Sequence, residues 1–286
     1  MAGALERSGV DVVVVARETT AAELAARGLS VRSAVLGDFE AHPQISVDLE
    51  DDVDALLVTT KASGLREALN RVKTAPPLVV PLLNGVDHLE LLRERFGADR
   101  VAAGVIRIES DRPRIGTIVQ TSPTCRVDLA TEQSTLKVQL ERLATTLQAA
   151  GITVQIGSSE QQVMWSKLAR LCPLALTTSA SDRSIGFVRS DPRWRSALEN
   201  AIKETVEIAN ADAAALDPTA TLAELEGAHA DLGSSMQRDI AAGREPELDA
   251  IAGAVLRAGA RHGIRCPTLS WLSERVAKRA GIATPA

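Results

Sequence analysis

The chain of 286 residues has no tyrosine, and phenylalanine and tryptophan occur only three times each. Its core must therefore be built from Leu, Val, Ile and Ala. Cysteine is equally scarce: Cys125, Cys172 and Cys266 are odd in number, far apart and in no C-x-x-C spacing, which excludes a disulfide framework and a zinc site. Runs of basic residues are missing too. The net charge is −5 and the Lys and Arg residues are scattered, so no nucleic-acid footprint is present. No apolar run approaches the roughly 18 residues of a membrane helix, and Glu6 and Arg7 stand where a secretory signal would be apolar. These absences point to a cytoplasmic globular protein whose partners are neither nucleic acid nor membrane.

What is present divides near residue 158. Before it, short Val/Ile/Leu runs alternate with charged, Ala-rich segments: VDVVVVA at 10 to 16, ALLVTTK at 55 to 61, PLVVPLLNG at 77 to 85, RVAAGVIRI at 100 to 108 and ITVQI at 152 to 156. Runs of this length read as strands buried on both faces, and helical segments between them imply parallel crossovers. After it, apolar residues recur at three and four residue spacings through SSEQQVMWSKLARLCPLALTT, DPRWRSALENAIKETVEIANADAAAL, TLAELEGAHADLGSSMQRDIAAG and EPELDAIAGAVLRAGARHG. Asp191 with Pro192 marks a helix start, and Gly243 and Gly263 mark helix stops. The expected architecture is an α/β Rossmann-like domain over 1–157 and an all-helical domain over 158–286.

A dinucleotide-binding sheet carries G-x-G-x-x-G between its first strand and first helix, with an acidic residue about 20 positions on for a ribose hydroxyl, or an arginine for a 2′-phosphate. Here a strand ends in Arg17, and counting back places the glycine turn just before Met1. MAGALERSG then reads as the rest of the first helix, Gly9 as its stop and VDVVVV as the second strand. The first strand and glycine turn are missing. A start codon assigned too far downstream and a truncated gene both explain this; so does a fold that is not Rossmann, with Arg17 an ordinary strand-end residue.

Other residues invite functional readings beside plainer ones. Lys167 lies on a helical stripe with Met164, Leu168, Leu171, Leu174 and Ala175, where an ammonium either snorkels to water or is partly desolvated and made acidic. Asn84, before Gly85, ends a strand, where open sheets place ligands, and is also good turn chemistry. Lys61 ends another strand. Glu247, after Pro246, complements a helix N-terminus. Ser235 is expected near the end of a helix, within a hairpin that brings it to Glu247. The four histidines, His42, His88, His229 and His262, read as structural or solvated.

TTKA at 59 to 62, LLNG at 82 to 85, WSKLA at 165 to 169 and SSMQRDIAAGREPELDAIAG at 234 to 253 stand in the order and approximate spacing of motifs in the ketopantoate reductase family, and the chain resembles that family over nearly its whole length. The resemblance implies NADPH-dependent reduction of the 2-keto acid 2-dehydropantoate (ketopantoate), serving pantothenate and coenzyme A synthesis. It implies Lys167 as general acid and Asn84, Ser235 and Glu247 as substrate-binding residues. Arg17, Lys61 and Asn84 would serve the cofactor, with the site in an interdomain cleft, no metal, and a homodimer as an option for the helical half. The departures are Leu171 and Ala175 where the family has asparagines, Gly64 for a common glutamine and Pro246 for a common threonine. They favour a more apolar keto acid as the alternative substrate, hence another NADP-linked hydroxy acid dehydrogenase. The lost glycine turn keeps a non-catalytic relic or binding protein as the third reading.

Overall fold

The computed structural model describes residues 1–285. The chain forms two compact units, one of residues 1–60, 64–83 and 89–160, the other of residues 61–63, 84–88 and 161–286.

The first unit is α/β and Rossmann-like. It begins with α1 (Ala2–Arg7), β1 (Val13–Val15), α2 (Glu18–Arg27), β2 (Leu29–Ser33), β3 (Phe39–Ala41), β4 (Gln44–Ser46) and β5 (Leu56–Val58). There follow α3 (Leu65–Leu69), β6 (Val79–Pro81), α4 (His88–Phe96), β7 (Ala103–Arg107), β8 (Ser110–Arg114), β9 (Thr117–Gln120), β10 (Arg126–Ala130), α5 (Lys137–Ala149) and β11 (Thr153–Ile156). Gly9, at φ +87°, stops α1: Val10 N–H reaches back to the Leu5 carbonyl at 3.1 Å, so the chain turns into β1 without leaving that carbonyl unpaired. β1 pairs in parallel with β4, and β5 in parallel with β6. The sheet is not wholly parallel, contrary to the reading from apolar runs: β7 runs antiparallel to β10, β2 to β3 and β8 to β9. Those extra strands escape detection because they are short and several are exposed; all five residues of β8 face solvent. The core under the sheet is aliphatic, with Leu78, Val80, Val127, Leu129, Leu140 and Leu147 essentially inaccessible. Each such side chain contributes on the order of 1.5–3 kcal/mol on burial.

The second unit is helical: α6 (Glu160–Ser181), α7 (Ile185–Ser190), α8 (Pro192–Ala211), α9 (Pro218–Glu226), α10 (Ser235–Ala241), α11 (Ala254–Arg261) and α12 (Pro267–Ala280). Asp191 caps α8 as its sequence suggests, accepting from the Arg193 and Trp194 amides at 3.0 Å each with Pro192 in the first turn. Gly243 and Gly263, at φ +65° and +69°, follow the ends of α10 and α11. The single helical stretch expected over 221–243 is instead two helices, because Gly227 to Gly233 supplies turn residues between α9 and α10. Ahead of α11, residues Asp249–Gly253 form one π-helical turn. α6 passes through Pro173, and Thr177 and Thr178 close the next turn by donating their hydroxyls to the carbonyls of Pro173 and Leu174, at 2.7 Å each. No helix is long and apolar enough to cross a membrane among the described residues.

Candidate active site

Four of the six residues singled out in the sequence meet within the second unit. Trp165 sets the position of α6: its ring is buried in the helical core and its Nε1–H donates to Asp212 Oδ2 at 2.7 Å. Two residues on, the half-buried Lys167 donates from Nζ to Asn84 Oδ1 at 2.8 Å. Asn84 passes the connection on, its Nδ2 donating to Glu247 Oε2 at 3.0 Å. The other carboxylate oxygen of Glu247 accepts from the Ala62 backbone N–H at 3.2 Å. The amide orientation of Asn84 follows from its partners, since only Oδ1 can face an ammonium while Nδ2 faces a carboxylate. One asparagine thus links a cation and an anion in a hydrogen-bonded row.

Lys61 lies at the end of the same row. Its Nζ donates to Asp239 Oδ2 at 2.9 Å and to the Glu245 carbonyl at 3.2 Å, and Arg244 Nε binds the other oxygen of Asp239 at 2.8 Å. Asp239 is buried, and two cations offset its desolvation. Glu247 directly precedes its helix, and its carboxylate turns to Ala62 and Asn84 instead of capping that helix.

The turn that carries Asn84 is held closely. Gly85 adopts φ +89°, and a Cβ there would stand 2.2 Å from the Ala250 carbonyl oxygen in the π turn. Arg257 pins both sides, donating to Asp87 at 2.8 Å and to Asp249 at 2.7 Å. π turns are uncommon and recur at functional sites; this one presses the Asn84–Gly85 segment into place.

Ser235 and Arg17 stand elsewhere. Ser235 is the exposed first residue of α10, not near a helix end as expected, because its neighbour Ser234 is the N-cap, accepting from Gln237 N–H at 3.1 Å. Ser235 precedes Asp239 by four residues on one helical face, which places it on the Lys61 side of the row. Arg17 is exposed at the start of α2, in the first unit. The idea that Leu171 and Ala175 together shape an apolar pocket needs correction: Ala175 is wholly buried in the helical core, which leaves half-buried Leu171, one turn beyond Lys167.

Sequence reasoning missed Asp239, Arg257 and the π turn, and it set His88 aside. His88 is 5% exposed and its Nε2 has no hydrogen-bond partner. Burial, reinforced by the charge of Lys167, lowers its pKa from 6.5 to about 4. A depressed histidine pKa means that the unfolded chain binds the proton first, so stability is full above pH 6.5 and falls as pH drops toward 4. Urea unfolding should show a loss of about 3 kcal/mol over that interval. His88→Phe should remove most of that pH dependence; an unchanged slope would show that the histidine is already charged or hydrated in the folded state.

Comparison with known proteins decides the family. The family model "ketopantoate reductase PanE/ApbA" matches residues 1–134, and its C-terminal counterpart matches residues 160–285. The chain belongs to the ketopantoate reductase family. Among relatives, a 2-dehydropantoate 2-reductase of Caulobacter vibrioides is 26% identical over 243 residues, covering 81% of this chain and 80% of its own. The crystal structure of 2-dehydropantoate 2-reductase from Geobacter metallireducens is 26% identical with a TM-score of 0.88, covering 96% and 94% of the two chains. D-mandelate dehydrogenase with NADH and anilino(oxo)acetate shares the fold at 20% identity and TM-score 0.88, over 97% and 93%. Membership of this family makes the chain an oxidoreductase, and the family works with a nicotinamide cofactor.

Fit to such a cofactor is divided. Arg17 and Lys61 stand at or just beyond strand ends, where dinucleotides bind. No G-x-G-x-x-G occurs anywhere in the 286 residues, so the backbone cradle for a pyrophosphate is not among them.

Proposed function

We propose that this protein reduces a 2-keto acid at the expense of NADPH, and that the keto acid is 2-dehydropantoate, converted to pantoate for pantothenate and coenzyme A synthesis in the cytoplasm. The observation that carries the proposal is the row Lys167–Asn84–Glu247–Ala62 N–H, which converges from segments 83 and 163 residues apart in the chain. A reduced nicotinamide, when bound, supplies the hydride. The residues of this chain supply the rest. Lys167 Nζ–H gives its proton to the alkoxide oxygen developing from the keto group, a role for which an ammonium held at a fixed point by Asn84 is suited. Glu247 keeps Asn84 oriented and accepts from the hydroxyl of the substrate. Ser235, near Asp239 on α10, binds the carboxylate. Arg17 takes the 2′-phosphate of NADPH, and Lys61, released from Asp239, meets the cofactor. On this reading residues 1–157 are the cofactor domain and 158–286 the substrate domain.

A second reading is favoured by Leu171, an apolar side chain in the turn after Lys167: the substrate is a 2-keto acid with an apolar side chain, and the enzyme is another hydroxy acid dehydrogenase. A buried apolar contact penalises a substrate hydroxyl left without a partner. The two are separated by steady-state kcat/KM for 2-dehydropantoate, 2-ketoisocaproate and phenylpyruvate, each with NADPH and NADH. Preference for 2-dehydropantoate with NADPH supports the first reading and preference for an apolar keto acid the second. Absence of turnover with every pair contradicts both and leaves a binding protein.

A further inference from the structure

The segment after α8 lies outside the row of Lys167, Asn84 and Glu247, yet it is tightly built. Asn210 brackets Leu216, its Oδ1 accepting from the Leu216 N–H at 2.8 Å and its Nδ2 donating to the Leu216 carbonyl at 3.0 Å. Within that loop Ala213 stands at φ +65°, in the left-handed region that residues with a Cβ rarely adopt. The neighbouring Ala214 is buried, and its N–H reaches back to the Ala209 carbonyl at 2.9 Å. Backbone strain of this kind persists where the surroundings over-determine a turn, and such turns cluster at functional sites. The side chain held here is Asp212.

Asp212 joins three helices. It ends α8, its Oδ2 accepts from Trp165 Nε1–H of α6 at 2.7 Å, and its Oδ1 lies 3.2 Å from Nε2 of His262, the residue that ends α11. A second tie runs beside the first: Gln162, one turn before Trp165 on α6, accepts from the Ala215 N–H at 2.8 Å and donates to its carbonyl at 3.4 Å. α8 and α11 approach closely at Gly259, where a Cβ would meet Ile208 Cδ1 and the Ile264 carbonyl oxygen at 3.2 Å each. α11 begins where the π turn against Gly85 ends. One carboxylate therefore connects the helix that carries Lys167 to the helix that continues from the support of the Asn84 turn.

Helix geometry carries this tie to the lysine. Residues two apart on an α-helix point about 200° from each other, so Lys167 leaves α6 nearly opposite Trp165, and whatever fixes Trp165 fixes the direction of Lys167. A rotation of α6 by about 20° moves a side-chain tip at a radius of about 6 Å by roughly 2 Å. That is enough to break the 2.8 Å contact between Lys167 Nζ and Asn84 Oδ1. Apolar packing of the Trp165 ring is non-directional, whereas its hydrogen bond to Asp212 selects one rotation. We propose that Asp212 is a positioning residue: acting through Trp165, it sets the rotation of α6 that holds Lys167 Nζ against Asn84. Its effect on turnover rests on the reading of Lys167 as proton donor; its effect on the lysine itself does not.

Two variants cut the tie from its two ends. Asp212→Ala removes the carboxylate, and Trp165→Phe removes the N–H while keeping an aromatic ring; Asp212→Asn keeps an oxygen that accepts from Trp165. The first readout needs neither cofactor nor keto acid: acetylation by limiting acetic anhydride, read by peptide mass spectrometry with the exposed Lys137 of the first unit as internal reference. Relative to Lys137, Lys167 should react about tenfold faster in the two cutting variants and at the parent rate in Asp212→Asn. The second readout is turnover of the best keto acid. Here kcat should fall about tenfold to a hundredfold in the cutting variants, with KM within about twofold, and recover in Asp212→Asn. A merely structural role would lower the thermal midpoint and leave Lys167 labelling and kcat at the parent level, and that result would overturn the proposal. Either cutting variant suffices; failure of both to fold would overturn it too, since the tie would then hold the whole helical unit and not the lysine. A parent protein without turnover sinks the reductase reading alone, and the labelling still decides the positioning.

Discussion

Lys167→Met is expected to lower kcat for the best keto acid by about a hundredfold to ten-thousandfold, the range supplied by a positioned general acid. KM for the keto acid should change little, because the lost interaction strengthens only as charge develops on the substrate oxygen. Methionine keeps the unbranched stem on the stripe of Met164 and Leu168, so α6 should keep its packing. A thermal unfolding scan beside the kinetics would register any loss of fold. A variant with normal kcat would remove Lys167 from the chemistry.

Gly85→Ala should be the most damaging single methyl group in the site. The residue sits at φ +89°, where an alanine is strained before any contact is considered, and its Cβ would stand 2.2 Å from the Ala250 carbonyl oxygen, which cannot rotate away. Together these should cost about 3 kcal/mol or more in urea unfolding. Activity should fall further than stability, since moving this turn displaces Asn84 from both Lys167 and Glu247. A stable, fully active Gly85→Ala protein would show that the turn and the π turn are free to separate.

Legibility in the sequence followed the range of the interaction. Asp191 with Pro192, and Gly9, Gly243 and Gly263, act within a turn or two of themselves, so their effects could be read from neighbours alone. The apolar runs of β1, β5, β6 and β7 were equally plain, being buried or packed on the core, and so was that of β11, although only Val154 of that strand packs on the core. β8 was not, because a short exposed strand has neither a continuous run nor a long alternation. The meeting of Lys167, Asn84 and Glu247 has no periodic signature, and only family resemblance brought those residues together. His88 and Arg257 lay beyond both routes: one is hidden by burial, and the other acts on Asp87 from 170 residues away. Ser235 was misplaced because Ser234 and Ser235 are equivalent as letters, and only the backbone shows which of them caps α10.

The most direct test of the account is isotope transfer. NADPH deuterated at the reactive carbon of its nicotinamide is incubated with the protein and with 2-dehydropantoate or phenylpyruvate, and the hydroxy acid product is read by NMR. The account predicts deuterium on the carbinol carbon of the product, formed at least about a hundredfold more slowly when Lys167 is methionine. Absence of labelled product with both keto acids would contradict it.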